Sequence, residues 1–179
     1  LIKNLDFMMT KNFKNEDSLV LVIGKTLGHL HQSEFFREVI KDNSGPPPEI
    51  NLFNEKNNGL AIQKIISKKL VNAVHDISSG GILLALFEMC TNGKIGVNIQ
   101  IPKNNINKHQ YLFGEDQSRY IIEISEKNKD EVFNIFNENS VYYELIGKTI
   151  KESITVKDEF SISINELKKI NSKWFANYC

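Results

Sequence analysis

Residues 19–23, LVLVI, are apolar without a break and stop at Gly24, the pattern of a strand buried on both faces. Residues 80–90, GGILLALFEMC, are apolar for longer and nearly all round, which predicts a buried helix. Elsewhere the pattern alternates with period two. Ile95, Val97, Ile99 and Ile101 predict a half-buried strand over 95–101 that Pro102 ends. Tyr120, Ile122 and Ile124 predict another, as do Val141, Tyr143 and Leu145, and then Phe160, Ile162 and Ile164. A short run, VNAV at 71–74, leads as a strand straight into His75.

Helical spacing fills the gaps between these strands. Residues 33–41 read as a short helix with Ser33 as N-cap, followed by a loop, 42–50, that three prolines hold extended. Leu52, Leu60, Ile62, Ile65 and Ile66 predict one apolar face on a helix over 51–69. Val132, Phe133, Ile135 and Phe136 mark the inner face of a helix over 126–139, and a last helix over 165–176 carries Trp174 and Phe175. Residues 103–110 read as a polar loop and 111–120 as a tight turn between apolar runs. Strands and helices interleave, so the fold class is α+β or α/β, with a mixed β-sheet and packed helices.

At 179 residues the chain is long enough for one large domain, or one domain with an appended segment. Lysine plus arginine and aspartate plus glutamate both total 22, and a net charge of zero argues against nucleic acid or an anionic membrane as the main partner. No apolar stretch is long enough to span a bilayer and no signal peptide is visible. Cys90 and Cys179 make no disulfide framework, which favours a reducing, cytoplasmic setting. The chain starts at Leu1 without an initiator methionine, as expected of a piece of a longer polypeptide.

Charge bears on the chemistry in one further way. Of the 22 basic residues only Arg37 and Arg119 are arginines. A chain that meets most demands for positive charge with lysine is expected to keep arginine where a planar, bidentate fork matters. Arg119 closes the densest polar stretch, GEDQSR at 114–119, where Glu115 and Asp116 suit a metal or hydroxyl groups and Gln117 and Arg119 suit an amide or a phosphate. The plainer alternative is that Gly114 supplies a turn and Arg119 pairs with a neighbouring carboxylate.

A second stretch, HDISSGG at 75–81, lies between the short strand and the buried helix. His75 and Asp76 stand where ligands of such sheets bind, and Ser79, Gly80 and Gly81 allow backbone N–H groups to face an anion. Against this, Asp76 or Ser78 would merely cap the helix and the glycines permit tight packing. A third stretch, GKTLGHLHQSEFF at 24–36, has two histidines, but His29 and His31 are two apart with no cysteine nearby, so a metal site is disfavoured. His109 reads as a solvated surface residue.

Taken in order, GKTLGHLHQSEFFREVI, GPPPEINLFNEK, LVNAVHDISSGGILLALFEMC, GKIGVNIQIP, YLFGEDQSRYIIEIS and YELIGKT resemble the C-terminal half of the phosphoribosylformylglycinamidine synthase family, subunit II. The resemblance runs over about residues 5–155. HDxSxGG alone is shared with relatives such as hydrogenase-maturation HypE and selenophosphate synthetase, and the proline loop and LFGEDQSRY tip the choice. The resemblance implies an AIR synthase-related C-terminal domain over 1–155 with an extension, 156–179, packed on it. It implies an ATP-dependent ligase that makes an amidine with ammonia from glutamine, with ATP and Mg bound mainly by domains outside this chain and no turnover by the piece alone. The implied partners are the nucleotide-binding and first-half domains of one polypeptide and a glutaminase supplying ammonia. The implied substrate- or nucleotide-binding residues are His75, Asp76, Ser79, Gly80, Gly81, Gly114, Glu115, Gln117 and Arg119. Asp116 stands where the family usually has serine, and its charge opposes a phosphate there; GHLHQS at 28–33 replaces a usual Gly-Gly-Ser run. The other reading is a non-catalytic scaffold or structural-nucleotide domain. The two stretches 75–81 and 114–119 are expected to lie together, facing the missing nucleotide-binding domain.

Overall fold

The computed structural model describes residues 4–92, 94–103 and 106–176, without the side chains of residue 6 and residues 174–176; Cys179 lies outside the described residues. Seven strands form one sheet: β1 Leu19–Ile23, β2 Ala73–Asp76, β3 Ile95–Ile99, β4 Tyr120–Ile124, β5 Tyr143–Lys151, β6 Ser153–Val156 and β7 Phe160–Ser163. Their order is β2-β4-β1-β5-β3-β6-β7. All neighbours are antiparallel except β3 and β6, so the sheet is mixed and the fold α+β. Five helices accompany it: α1 Leu52–Ser67, α2 Gly81–Cys90, α3 Lys108–Phe113, α4 Lys129–Glu138 and α5 Ile164–Ala176.

Strand β1 is central, and its unbroken apolar run is buried on both faces, all five residues at 2% exposure or less. Val20 and Val22 join Ala73 and Ile121 under α2 and α3, where Ile82, Leu86, Met89 and Tyr111 complete one core. Leu19, Leu21 and Ile23 join Ile122 and Ile124 under α1 and α4, where Ile62, Ile65, Val132 and Phe136 complete a second. Helices thus cover both faces of the central strands. Each fully buried aliphatic side chain contributes about 1.5–3 kcal/mol.

The structure departs from the sequence expectations at several places, among them Leu145, which is 47% exposed, and Ile164, which opens α5 and not a strand. Residues 108–113 are a helix and not part of a polar loop or turn. Asn107 caps α3 by accepting from Gln110 N at 2.9 Å, while the Gln110 side chain accepts from Asn107 N, a capping box that supports a six-residue helix with little apolar periodicity. In α1 the buried stripe is Asn58, Ala61, Ile62 and Ile65; Leu52 and Leu60 lie off it and are 77% and 52% exposed. Beyond Leu145 the chain stays extended, so β5 runs to Lys151 and β6 follows at once; alternation there is masked by Gly147 and Lys148. Within 33–41, residues 36–40 form a π-helical turn, and Ser33 Oγ accepts from Phe36 N at 3.2 Å, the cap expected of it.

Candidate functional site

Two stretches meet at one end of the sheet, where β2 finishes and β4 begins. Their junction is direct: Ile77 N donates to Arg119 O at 2.9 Å, and Gly80 N donates to Glu115 Oε1 at 2.8 Å. HDISSGG and GEDQSR therefore form one surface, and the 24–34 segment that follows β1 closes its other side.

The first turn of α2 is capped from outside its own sequence. Gly80, at φ +80°, is the N-cap and makes no side-chain cap; neither Asp76 nor Ser78 fills that place. The Glu115 carboxylate does so, and it also accepts from Glu34 N at 2.8 Å. One anion thus faces two helix starts, the placement that helix dipoles favour. Gly81 answers to packing: a Cβ there would lie 2.7 Å from Phe113 C and 2.8 Å from the carbonyl oxygens of Leu112 and Gly114. Helix α2 could not sit against the end of α3 with a larger residue.

Asp116 is 5% exposed and collects three backbone donors from the other segment: Leu27 N and Gly28 N to Oδ2 at 3.0 and 2.9 Å, and His29 N to Oδ1 at 3.1 Å. Gly28 is at φ +81°, which turns these successive N–H groups inward. Arg119 supplies the counter-charge. Its side chain is fully buried, Nη1 lies 3.7 Å from Asp116 Oδ2, and its donors reach Asp116 O, Thr26 Oγ1 and Gly114 O at 3.1, 3.1 and 2.5 Å. Burial pushes the guanidinium below its usual value and the Asp116 charge opposes that shift. Arg119 therefore spends its donors inside the domain, the plainer of the two sequence readings. Arg37, the other arginine, is exposed and pairs with Glu34.

Asn58 fixes the turn between Asp116 and Arg119, with Nδ2 donating to Ser118 O at 2.9 Å and to Ser118 Oγ at 3.0 Å. Ser118 sits at φ +59°, a conformation that such a clamp sustains. Two clefts open on either side. One, about 370 Å³, is bordered by Glu55, Asp76, Ser78, Ser79, Glu115, Gln117 and Tyr120. The other, about 530 Å³, is bordered by Lys25, His29, His31, Asn51, Asn54 and Gln110. Asp116, Gln117 and Ser118 line both. Four carboxylates, Glu55, Asp76, Glu115 and Asp116, border the smaller cleft against the one guanidinium of Arg119, and burial, with the charges of Glu55 and Asp76 added, pushes the Tyr120 hydroxyl above its ordinary value.

His75 stands apart from both clefts. Its ring nitrogens lie 2.9 Å from Glu88 Oε2 and 3.2 Å from Asp76 Oδ1, and Lys11 Nζ donates to the same Glu88 oxygen at 2.6 Å. The ring turns to the α2 face, while Asp76, next on the strand, borders the cleft. Of the residues singled out from sequence, Asp76, Ser79, Glu115, Gln117 and Arg119 border the smaller cleft. Asn58 and Thr26 are the members that the sequence motifs do not name, and Asp116 accepts from backbone N–H groups here where its motif suggested a metal or hydroxyl groups. Asn58 was readable as the one polar residue on the 58, 61, 62, 65 stripe. Thr26 carried no such signal. Among the described residues no three His, Cys, Asp or Glu side chains converge as for a metal ion.

Residues 14–159 match the family described as AIR synthase related protein, C-terminal domain. The phosphoribosylformylglycinamidine synthase subunit PurL of Pelagibacter ubique is 47% identical over 178 residues, 99% of this chain but 24% of the relative. The subunit of the same name from Methylocella silvestris is 37% identical over 166 residues, 93% of this chain and 22% of the relative. The chain thus spans about a quarter of the length of the curated relatives it matches. Among solved structures, T. maritima PurL complexed with FGAR superposes with a TM-score of 0.74 over 91% of this chain and 30% of that one, at 16% identity, a likeness of fold.

Proposed function

The chain belongs to the family of AIR synthase related C-terminal domains, and on that footing we propose that it is the C-terminal domain of an ATP-dependent phosphoribosylformylglycinamidine synthase. The 47% identity to a PurL subunit along nearly the whole chain is the observation that carries this reading. The reaction would convert formylglycinamide ribonucleotide to its amidine with ammonia from glutamine, releasing ADP and phosphate. Residues 1–155 form the domain proper in this reading and 156–179 an extension packed on it. The setting is cytoplasmic; among the described residues no helix is long and apolar enough to cross a membrane.

The residues present do not fit a nucleotide triphosphate. The amides of 27–29, 34 and 80 are engaged by Asp116 and Glu115, Arg119 is spent internally, and Glu55 and Asp76 add negative charge. ATP and Mg accordingly belong to other domains of the longer polypeptide. This domain's part is a wall: Asp76, Ser79 and Gln117 offer polar groups to an incoming domain or to uncharged parts of a ligand, while Gly80, Gly81, Gly114, Glu115 and Arg119 hold that wall in shape. Buried polar groups need partners, and here the domain supplies them itself, which favours a scaffold role within the enzyme. The docked partners are the upstream nucleotide-binding and first-half domains, with a glutaminase as the ammonia source.

The test compares the 179-residue chain with the full-length polypeptide that carries it, assaying ADP release from Mg-ATP with formylglycinamide ribonucleotide and ammonia. The full-length protein is expected to turn over and the 179-residue chain not to. Turnover by the short chain comparable to the long one, or a long chain without substrate-dependent ADP release, would overturn the reading.

A further inference from the structure

The N–H groups of Leu27, Gly28 and His29 converge on one place, and that place already holds an oxyanion, the carboxylate of Asp116. Successive inward amides of this kind make an anion-binding nest. A fully buried guanidinium, Arg119, stands behind the carboxylate, and among the described residues it is the charged partner Asp116 has. The same carboxylate forms part of the partition between the two open clefts, so the nest lies within reach of either.

We propose that Asp116 is a built-in anion that closes the 27–29 nest to phosphate, so that the residue at position 116 decides whether this face of the domain accepts a phosphorylated ligand. A tethered carboxylate forfeits no translational freedom on entering the nest, whereas a free anion does. A phosphate arriving beside it would meet a like charge at short range in a poorly screened setting. With serine at position 116, three amides would be left without an anion, beside the buried positive charge of Arg119, whose N–H groups stay with Asp116 O, Thr26 and Gly114. Convergent amides next to a buried cation recognise oxyanions. The inference concerns inorganic or ester phosphate as a chemical group and stands independently of whether the longer polypeptide makes an amidine.

The test titrates the 15N-labelled chain with inorganic phosphate against chloride at matched ionic strength. In the parent chain the amide resonances of Leu27, Gly28 and His29 are expected not to move; saturable shifts at these three would overturn the proposal. Asp116→Ser is expected to acquire saturable, phosphate-specific shifts at the same amides, with Tm raised several degrees by phosphate over chloride. A folded Asp116→Ser chain indifferent to phosphate would sink it. Should serine leave the chain unfolded, phosphate and not chloride is expected to restore the circular dichroism of the parent, and failure to do so counts equally against the proposal.

Discussion

Strand β4 has a buried carboxylate near each end, and the two do similar work in different company. Asp116, just before its start, binds the backbone that leaves β1; Glu123, next to its last residue, binds the backbone that enters β1. The Glu123 side chain accepts from Lys14 N at 2.7 Å, Asn15 N at 3.1 Å and the side-chain amides of Asn15 and Asn72 at 3.3 and 3.2 Å. Because β4 runs antiparallel to β1, each carboxylate secures the loop at one end of the central strand. Asp116 also has a guanidinium behind it and clefts beside it. Glu123, at 0% exposure, has N–H donors alone and lines neither cleft. A carboxylate that pins a loop is thus a general device of this fold, and the open clefts beside Asp116 are what make its end a candidate for function.

Breaking the charged pair should cost the most. Arg119→Met leaves Asp116 buried without a cation and is expected to lower stability by about 3–5 kcal/mol in urea unfolding; a loss below 1 kcal/mol would show that the amides alone balance the carboxylate. Glu123→Ala comes next, at about 1–3 kcal/mol, because Lys14 and Asn15 are exposed enough for water to replace the lost acceptor. If it proves costlier than Arg119→Met, the ranking of the two ends is reversed. Glu115→Gln should cost about 0.5–1.5 kcal/mol, since one amide oxygen can still accept both N–H groups, as Oε1 does now, but without charge assistance, and hydrogen exchange at Gly80 and Glu34 should quicken.

Smaller still is the surface network of Lys11, Glu88 and His75. Burial alone would raise the Glu88 carboxyl, yet the Lys11 ammonium and the His75 ring outweigh it and hold the group below its ordinary value. A lowered carboxyl stabilises the fold above its unfolded value, about 4.3, and the gain disappears as pH falls through the folded value. With Glu88 38% exposed, the gain is at most about 1 kcal/mol. Glu88→Gln should flatten that part of the pH–stability curve below pH 5 and leave the neutral region nearly unchanged. Leu60→Ser should move stability by no more than about 0.5 kcal/mol, because that side chain faces away from both cores.

The central architecture was legible because burial writes itself locally: LVLVI can only be a two-sided strand, and 126–139 shows the stripe that α4 buries. The candidate site was legible in kind, since Gly-Gly after a short strand and a lone arginine after GEDQS are local signals. Its wiring was not. Arg119 reaches Thr26 across 93 residues, and Glu115 reaches Glu34 across 81, pairings that exist only once β4 lies beside β1. Leu60 misled because a leucine at helical spacing looks like core from sequence, whereas Asn58 takes the inward place to hold Ser118. Helix α3 escaped because its six residues owe their form to a capping box and not to an apolar stripe.

The sheet order also governs how the chain comes into being on the ribosome. Leu19 pairs with Ile124 on one side and Lys148 on the other, so the most apolar strand is made well before either of its neighbours. At about 5–20 residues per second, LVLVI waits roughly 5–25 s for its partners. During that interval it is an unpaired, uncharged, strongly β-forming segment, the kind that seeds intermolecular pairing. The Lys- and Asn-rich flank at 11–17, KNFKNED, has the composition of a gatekeeper for the nascent chain, and two of its members, Lys14 and Asn15, donate to Glu123 in the finished fold.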